Sequence, residues 1–136
     1  DQRYLMFAEM GMDTEMLAKA RVHYVPWLVE RLSNGIYTGI LVESDAIVIA
    51  GAGIWVGMGA PLPTLHSSDH RRASIVNVYT HPDHRRRGLA RQLVSRLIDF
   101  AREENYPIIT LHASDAGRAL YESMGFRNTN ELRLQL

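Results

Sequence analysis

Three arginines followed by a glycine, Arg85-Arg86-Arg87-Gly88, are the residues of this 136-residue chain best placed to do chemistry. They come directly after Asn77-Val78-Tyr79-Thr80-His81-Pro82, and directly before a segment that opens with Leu89-Ala90. A β-rich run that stops at a proline, a basic turn and a helix start together form an anion cradle. The first N–H groups of a helix have no partner inside it, and its dipole places partial positive charge there. A phosphate satisfies both. Gly88 lets the anion approach the backbone, and Ala90 keeps the first turn open. The segment is not a Walker loop, because the lysine and hydroxyl are missing from the required places, and one glycine does not make the dinucleotide fingerprint. The six histidines show no helical His pair and no His/carboxylate cluster, so no metal is expected.

Fifteen basic residues balance fifteen acidic ones, so no global field favours nucleic acid or an anionic membrane, and anion binding must be local. The absence of cysteine excludes disulfides, thiolate metal sites and a cysteine nucleophile. No stretch approaches the roughly 20 apolar residues of a membrane span, and residues 1–3 do not read as a signal peptide. Asp1 stands where an initiator methionine would, consistent with a trimmed form of a longer chain. A cytoplasmic location is expected.

The elements that must position the cradle follow from periodicity. Residues 13–32 are helical in pattern, with Asp13 or Thr14 as cap and Asn34-Gly35 as the end. Pro26 predicts two short helices rather than one. Residues 35–42 and 46–56 flank Glu43-Ser44-Asp45 and read as an antiparallel hairpin. The second run is nearly all apolar, which predicts a central strand covered on both faces. Its glycines mark a bulge or a close backbone approach. Residues 57–73 read as one long loop, 74–80 as a strand, and the segment from Leu89 to Ala101 as a strongly amphipathic helix. Residues 107–113 read as a strand reached by a right-handed parallel crossover. Ser114 or Asp115 then caps a short helix closed by Gly125, and residues 126–136, with Leu132, Leu134 and Leu136 alternating, supply one or two terminal strands. With no linker or repeat, residues 1–136 read as a single domain.

The spacing Arg85-x-x-Gly88-x-Ala90 after a strand resembles the acetyl-CoA signature of the GNAT acyltransferase superfamily. Asn77-Val78-Tyr79-Thr80-His81-Pro82 before it, the amphipathic helix after it and Leu120-Tyr121-Glu122-Ser123-Met124-Gly125-Phe126 downstream strengthen the resemblance. Leu111-His112-Ala113-Ser114-Asp115, followed by Gly117-Arg118, is similar to a bacterial subgroup. The resemblance implies an α/β (α+β) fold: a mixed, mostly antiparallel sheet of about six strands, splayed at the cofactor and flanked by helices. It also implies an opening strand, which residues 1–12 do not show.

By the same resemblance, the backbone of Val78, Tyr79 and Thr80 pairs with the pantetheine arm of acetyl-CoA. Amides of Arg86, Arg87, Gly88, Leu89 and Ala90 hold the pyrophosphate, with charge added by Arg85 and Arg87. Ser114 stands at a pantetheine-contacting position where many relatives have asparagine. Tyr121 matches the tyrosine that protonates the departing thiolate. The implied activity is transfer of an acetyl group to a primary amine by direct attack in a ternary complex. A general base is less evident: Asn77 as a water or amine contact, His112, Glu43, His66 and His70 are candidates beside a water chain or an amine that arrives unprotonated. Tyr24, Trp27 and Trp55 line an acceptor pocket or pack in the core. A non-catalytic CoA-binding sensor is the first alternative, and a nucleic-acid binder using the arginine run the second. The terminal strands are compatible with a homodimer.

Overall fold

The apolar run after the first hairpin turn becomes the centre of the sheet. In the computed structural model, which describes residues 1–60 and 69–135, it forms β2 (Ile47–Met58). Strand β1 (Tyr37–Ser44) pairs with it antiparallel on one side and β3 (Arg71–Thr80) on the other. Helix α3 (Leu89–Glu103) follows, and β4 (Ile109–Leu111) returns parallel to β3. The order β1-β2-β3-β4 is mixed and mostly antiparallel. Helices α1 (Gln2–Glu9) and α2 (Thr14–Ser33) precede the sheet, and α4 (Asp115–Ser123) follows it.

The pleat of β2 sorts its residues between two layers. Ala50, Ala52 and Ile54 pack with Ala73 and Ile75 of β3 against Leu93, Val94, Leu97 and Ala101 of α3. These last four are the stripe that the i, i+3/i+4 pattern marks, and all are buried. Gly51 and Gly53 face the other way. A Cβ at Gly51 would overlap Gln2 of α1, and one at Gly53 would overlap the Tyr37 ring and hydroxyl. The β2–β3 register also shifts between these glycines, so they mark both a bulge and a close approach. Gly53→Ala is expected to cost about 1–3 kcal/mol, the usual penalty of overfilling a packed interior. Thermal unfolding followed by circular dichroism should show Tm falling by several degrees.

Five expectations change. Residues 14–33 form one helix with Pro26 inside it, not two. Pro26 removes one helical hydrogen bond, but both halves are anchored: Leu17 is buried, and the Trp27 ring lies edge-on to Tyr37 and Trp55, each 6.3 Å away between centroids. The first hairpin turns at Asp45 and Ala46, both at positive φ (51° and 62°), so the strands run closer to the turn than the polar triplet suggests. β2 and β3 extend into the expected long loop, pairing Met58 with Arg71; residues 61–68 of it lie outside the described residues. Residues 2–9, which carry no clear pattern, are helical.

The fifth concerns the C-terminus and the strand count. No strand forms among residues 126–135, and Leu132 and Leu134 are 95% and 82% exposed. Alternation makes a strand only where a neighbour accepts its ladder, and here none does. The described sheet therefore has four strands rather than about six.

Candidate functional site

Strand β4 pairs with β3 only at Ala73, Ser74 and Ile75. Beyond Ile75, no described strand lies on this edge of β3, although β3 runs on to Thr80. A cleft of about 940 Å³ opens there, with walls drawn from β3, the turn after it, the start of α3, residues 111–114 and α4. Val78, Tyr79, Thr80, Arg85, Arg86, Gly88, Leu89, Ala90, Ser114, Tyr121, Asn77 and His112 all line it. The tertiary structure thus gathers nearly every expected site residue around one opening.

The anion cradle forms for local reasons. Pro82–His84 makes a single 3₁₀ turn, and Arg86 (φ 60°) and Gly88 (φ 76°) take left-handed backbone. Such reversals point successive N–H groups inward, and the first amides of α3 add to them. No side chain caps α3. Thr80 Oγ1 is buried with no hydrogen-bond partner among the described residues. Unpaired amides at a helix start, beside a strand edge with an orphaned hydroxyl, suit a ligand with phosphates at one end and an amide-bearing arm. Acetyl-CoA fits this description.

The three arginines differ. Arg85 donates from Nε to the Thr80 carbonyl (3.0 Å) and from Nη2 to Glu9 Oε2. The Tyr79 hydroxyl donates to Glu9 Oε1 at 2.8 Å. Arg85 holds the Glu9 carboxyl below its usual range against the opposing effect of burial. The Tyr79 phenol is pushed up to about 12 by burial and by its bond to Glu9. Arg86 lines the cleft. Arg87 turns back on the 3₁₀ turn, with nitrogens 3.5 Å from His84 Nδ1 and from the Asp83 carbonyl. Glu9 occupies the guanidinium of Arg85, so if Arg85 adds charge at the phosphates, as the resemblance implies, Glu9→Gln is expected to tighten acetyl-CoA binding by about three- to tenfold. Titration calorimetry at two salt concentrations checks this, with the larger gain at low salt.

Tyr121 stands on α4, half-buried, its ring edge-on to Phe126 with centroids 6.1 Å apart. Gly117 makes room one turn earlier: a Cβ there would come 2.9 Å from Tyr121 Cε2. Burial pushes the phenol above the ordinary tyrosine range, so it stays protonated at neutral pH. Its hydroxyl bonds to no described residue, which leaves the proton available to the cleft. Ser114 caps α4, its Oγ accepting from the Gly117 amide at 3.2 Å.

The base candidates separate. His112 sits at the cleft rim, 75% exposed in its side chain, with Nε2 3.5 Å from Glu131 Oε1 and 3.2 Å from an Arg133 nitrogen. Glu43 lies exposed on edge strand β1. His70 precedes β3 with its Nδ1 buried and without a partner among the described residues. Neither lines the cleft. His66 lies outside the described residues. Asn77 sits at the β3 bulge, at φ 56°, a left-handed backbone that asparagine tolerates better than most residues. Its side chain is fully engaged: Nδ2 donates to the hydroxyls of Tyr24 (2.8 Å) and Tyr37 (3.2 Å), and Oδ1 accepts from Arg3 (2.8 Å).

That network opens a second cavity, of about 470 Å³, lined by Arg3, Ala20, His23, Tyr24, Trp27, Trp55, Val76 and Asn77. It shares Arg3, Val76 and Asn77 with the cleft. Tyr24 stacks on Trp27 at 5.6 Å. Tyr24, Trp27 and Trp55 therefore line a pocket and also pack on one another. Arg3, Phe7, Glu9 and Tyr37 have no counterpart in the sequence reading. The one local trace of the first two is the i, i+4 spacing that sets the Arg3 guanidinium 4.6 Å over the Phe7 ring.

The sequence pattern of the Acetyltransferase (GNAT) family matches residues 7–126. The chain is 30% identical over 113 residues to an L-amino acid N-acyltransferase, MnaT, of Escherichia coli, covering 79% of this chain and 60% of that protein. It is 32% identical over 80 residues to human N-acetyltransferase 8, covering 56% of this chain and 35% of that protein. It thus spans less than two thirds of either relative. A GCN5-related N-acetyltransferase from Ralstonia eutropha superposes with a TM-score of 0.92 at 33% identity, over 99% of this chain and 88% of that one. A predicted acetyltransferase from Clostridium acetobutylicum, crystallised with acetyl-CoA, gives 0.82 at 28% identity, over 99% and 84%. A pattern running from α1 to Phe126, on a fold shared over nearly the whole length with a solved GCN5-related N-acetyltransferase, places the chain in the acetyltransferase (GNAT) family, to which it belongs.

Proposed function

We propose that the chain is an N-acetyltransferase that moves an acetyl group from acetyl-CoA to a primary amine by direct attack in a ternary complex. One observation carries this reading: the Tyr121 phenol and the amides at the start of α3, neither paired with any described residue, share one cleft, which adjoins a second, aromatic pocket at Asn77. A donor and an acceptor can then be held side by side. In this reading the amides of Arg86, Arg87, Gly88, Leu89 and Ala90 hold the pyrophosphate, and Arg85 adds charge. Val78, Tyr79 and Thr80, with Ser114 opposite, hold the pantetheine arm. The chain has no cysteine to carry the acetyl group between two half-reactions, which favours direct attack.

The amine nitrogen attacks the thioester carbon, the C–S bond breaks, and Tyr121 gives its proton to the departing sulfur and regains one from water. The proton lost by the amine goes to solvent. Glu9 is a poor base for it, because its carboxyl is tied to Arg85 and Tyr79 and its proton affinity is lowered. An amine that arrives unprotonated needs no dedicated base, and water near Asn77 or His112 can carry its proton to solvent.

Initial rates of thiol release, with acetyl-CoA and amine both varied, test the reading. Intersecting lines support the ternary complex and parallel lines exclude it. Acetyl-CoA binding with no thiol release across a broad amine panel would favour the sensor alternative.

A further inference from the structure

Helix α2 carries two apolar faces. One turns toward the sheet, where Leu17 is buried and Tyr24 and Trp27 line the aromatic pocket. The other is formed by Ala18, Val22, Val25, Val29 and Leu32, and Ile36 continues it just past the helix end. These residues recur at steps of four and three, the spacing of a coiled-coil seam. At 3.6 residues per turn, the five within the helix fall within about 80° of one another. All six are exposed, Val22 at 69% and Val29 at 59%. A surface helix ordinarily carries one apolar stripe, the one that faces the core. Valine is also among the poorer helix formers, so three of them along a solvent face weaken α2 unless something covers them.

We infer that a second copy of the chain covers this stripe, α2 packing against α2 in an antiparallel two-fold dimer. The stripe amounts to about 450 Å² per copy, a size at which an apolar patch marks an interaction site. Two stripes, with the flanking Pro26 and the stems of Lys19 and Arg21, bury about 1,000–1,200 Å², enough for a specific interface of modest strength. Pairing Ala18 with Ile36, Val22 with Leu32 and Val25 with Val29 of the other copy sets small side chains against large ones, so the seam stays even in width. Each contact occurs twice, as a two-fold axis requires. Charge selects the direction. In this arrangement Lys19 and Arg21 lie beside the last turn of the other helix, whose carbonyls carry partial negative charge. Parallel helices would bring Lys19 of one copy beside Arg21 of the other. The ion pairs of these two with Glu15 and Asp1, each 2.7 Å, are exposed and offset that repulsion only in part. A membrane surface fits less well, because Glu15 and Glu30 balance Lys19 and Arg21 along α2. Ala20, His23, Tyr24 and Trp27 lie on the other side of the helix, so the pairing leaves the aromatic pocket open.

Sedimentation of the chain across micromolar concentrations is expected to show a reversible dimer. Val29→Glu puts an unpaired charge into the seam of both copies and should weaken association by roughly 100-fold or more. Its circular dichroism should not change, because Val29 is exposed in the single chain. Leu134→Glu, in the exposed C-terminal segment, should leave the dimer intact. The chain has no cysteine, so Val22→Cys and Leu32→Cys chains can be mixed and oxidised together. Antiparallel helices should give the mixed disulfide. Either variant alone should stay uncrosslinked, since its two sulfurs sit about 15 Å apart along the seam. If Val29→Glu loses helix signal, the cysteine pair still decides. A monomer at every concentration, a dimer that withstands Val29→Glu or is broken by Leu134→Glu, or disulfides of each variant with itself would overturn the inference. So would a monomer that floats with phosphatidylcholine vesicles, which assigns the stripe to lipid.

Discussion

Tyr121→Phe is expected to lower kcat by roughly 10²- to 10⁴-fold, the usual contribution of a positioned general acid, while acetyl-CoA binds as before. The geometry explains why the two effects separate. The hydroxyl has no described partner, so its removal breaks no hydrogen bond in the fold. The ring keeps its edge-on contact with Phe126 and its place beside Gly117. Thermal unfolding should therefore barely move, and calorimetry should return an unchanged Kd for acetyl-CoA. The pH profile adds an independent readout. Burial raises the Tyr121 phenol above its ordinary value, and the acid form is the one that donates. Its contribution is thus complete at neutral pH and is lost only as pH rises through that elevated value. The phenylalanine variant should lack this alkaline fall. An unchanged kcat would mean that the thiolate leaves without an acid.

Gly88→Asp should weaken acetyl-CoA binding by roughly 10²-fold or more while the protein stays folded. Two or so charge-assisted hydrogen bonds from the start of α3 are at stake, each worth about 1.5–3 kcal/mol. Aspartate is a good helix cap, and its carboxylate would take the amides assigned to the pyrophosphate in the proposed reading. It also places a negative charge where the ligand brings its own. Against this, the left-handed backbone of Gly88 (φ 76°) costs an L-residue about 1–2 kcal/mol, less for aspartate than for most. Circular dichroism should show a near-native helix signal, with calorimetry showing the lost affinity. Unweakened binding in a folded variant would move the phosphates away from the start of α3.

The strand–turn–helix unit was legible in the sequence because its determinants are local. Pro82 ends β3, Gly88 takes the left-handed position, and the stripe of Leu93, Val94 and Leu97 shows which way α3 must face. The caps were legible to within one residue for the same reason, since a side chain needs only the amide two or three residues on; the structure chooses Asp13 over Thr14 and Ser114 over Asp115. Where propensity met tertiary packing, the sequence reading erred. Pro26 argued for a break, but the packed residues on either side keep α2 continuous. Leu132 and Leu134 alternate as in a strand, yet no neighbouring strand accepts them.

By itself, then, the sequence of residues 78–90 determined a ligand class, because a helix start and its turn create an anion site from contiguous backbone. The other half of the site came only with the tertiary structure. Arg3 and Glu9 on α1 reach Asn77 and Arg85 across sequence gaps of 74 and 76 residues. Tyr37 reaches Asn77 only because Gly53 leaves the space above β2 empty. Such contacts depend on how a helix lies over a sheet, which no periodicity within either element encodes. The anion cradle is written in consecutive residues, whereas the aromatic pocket exists only where four separate elements meet.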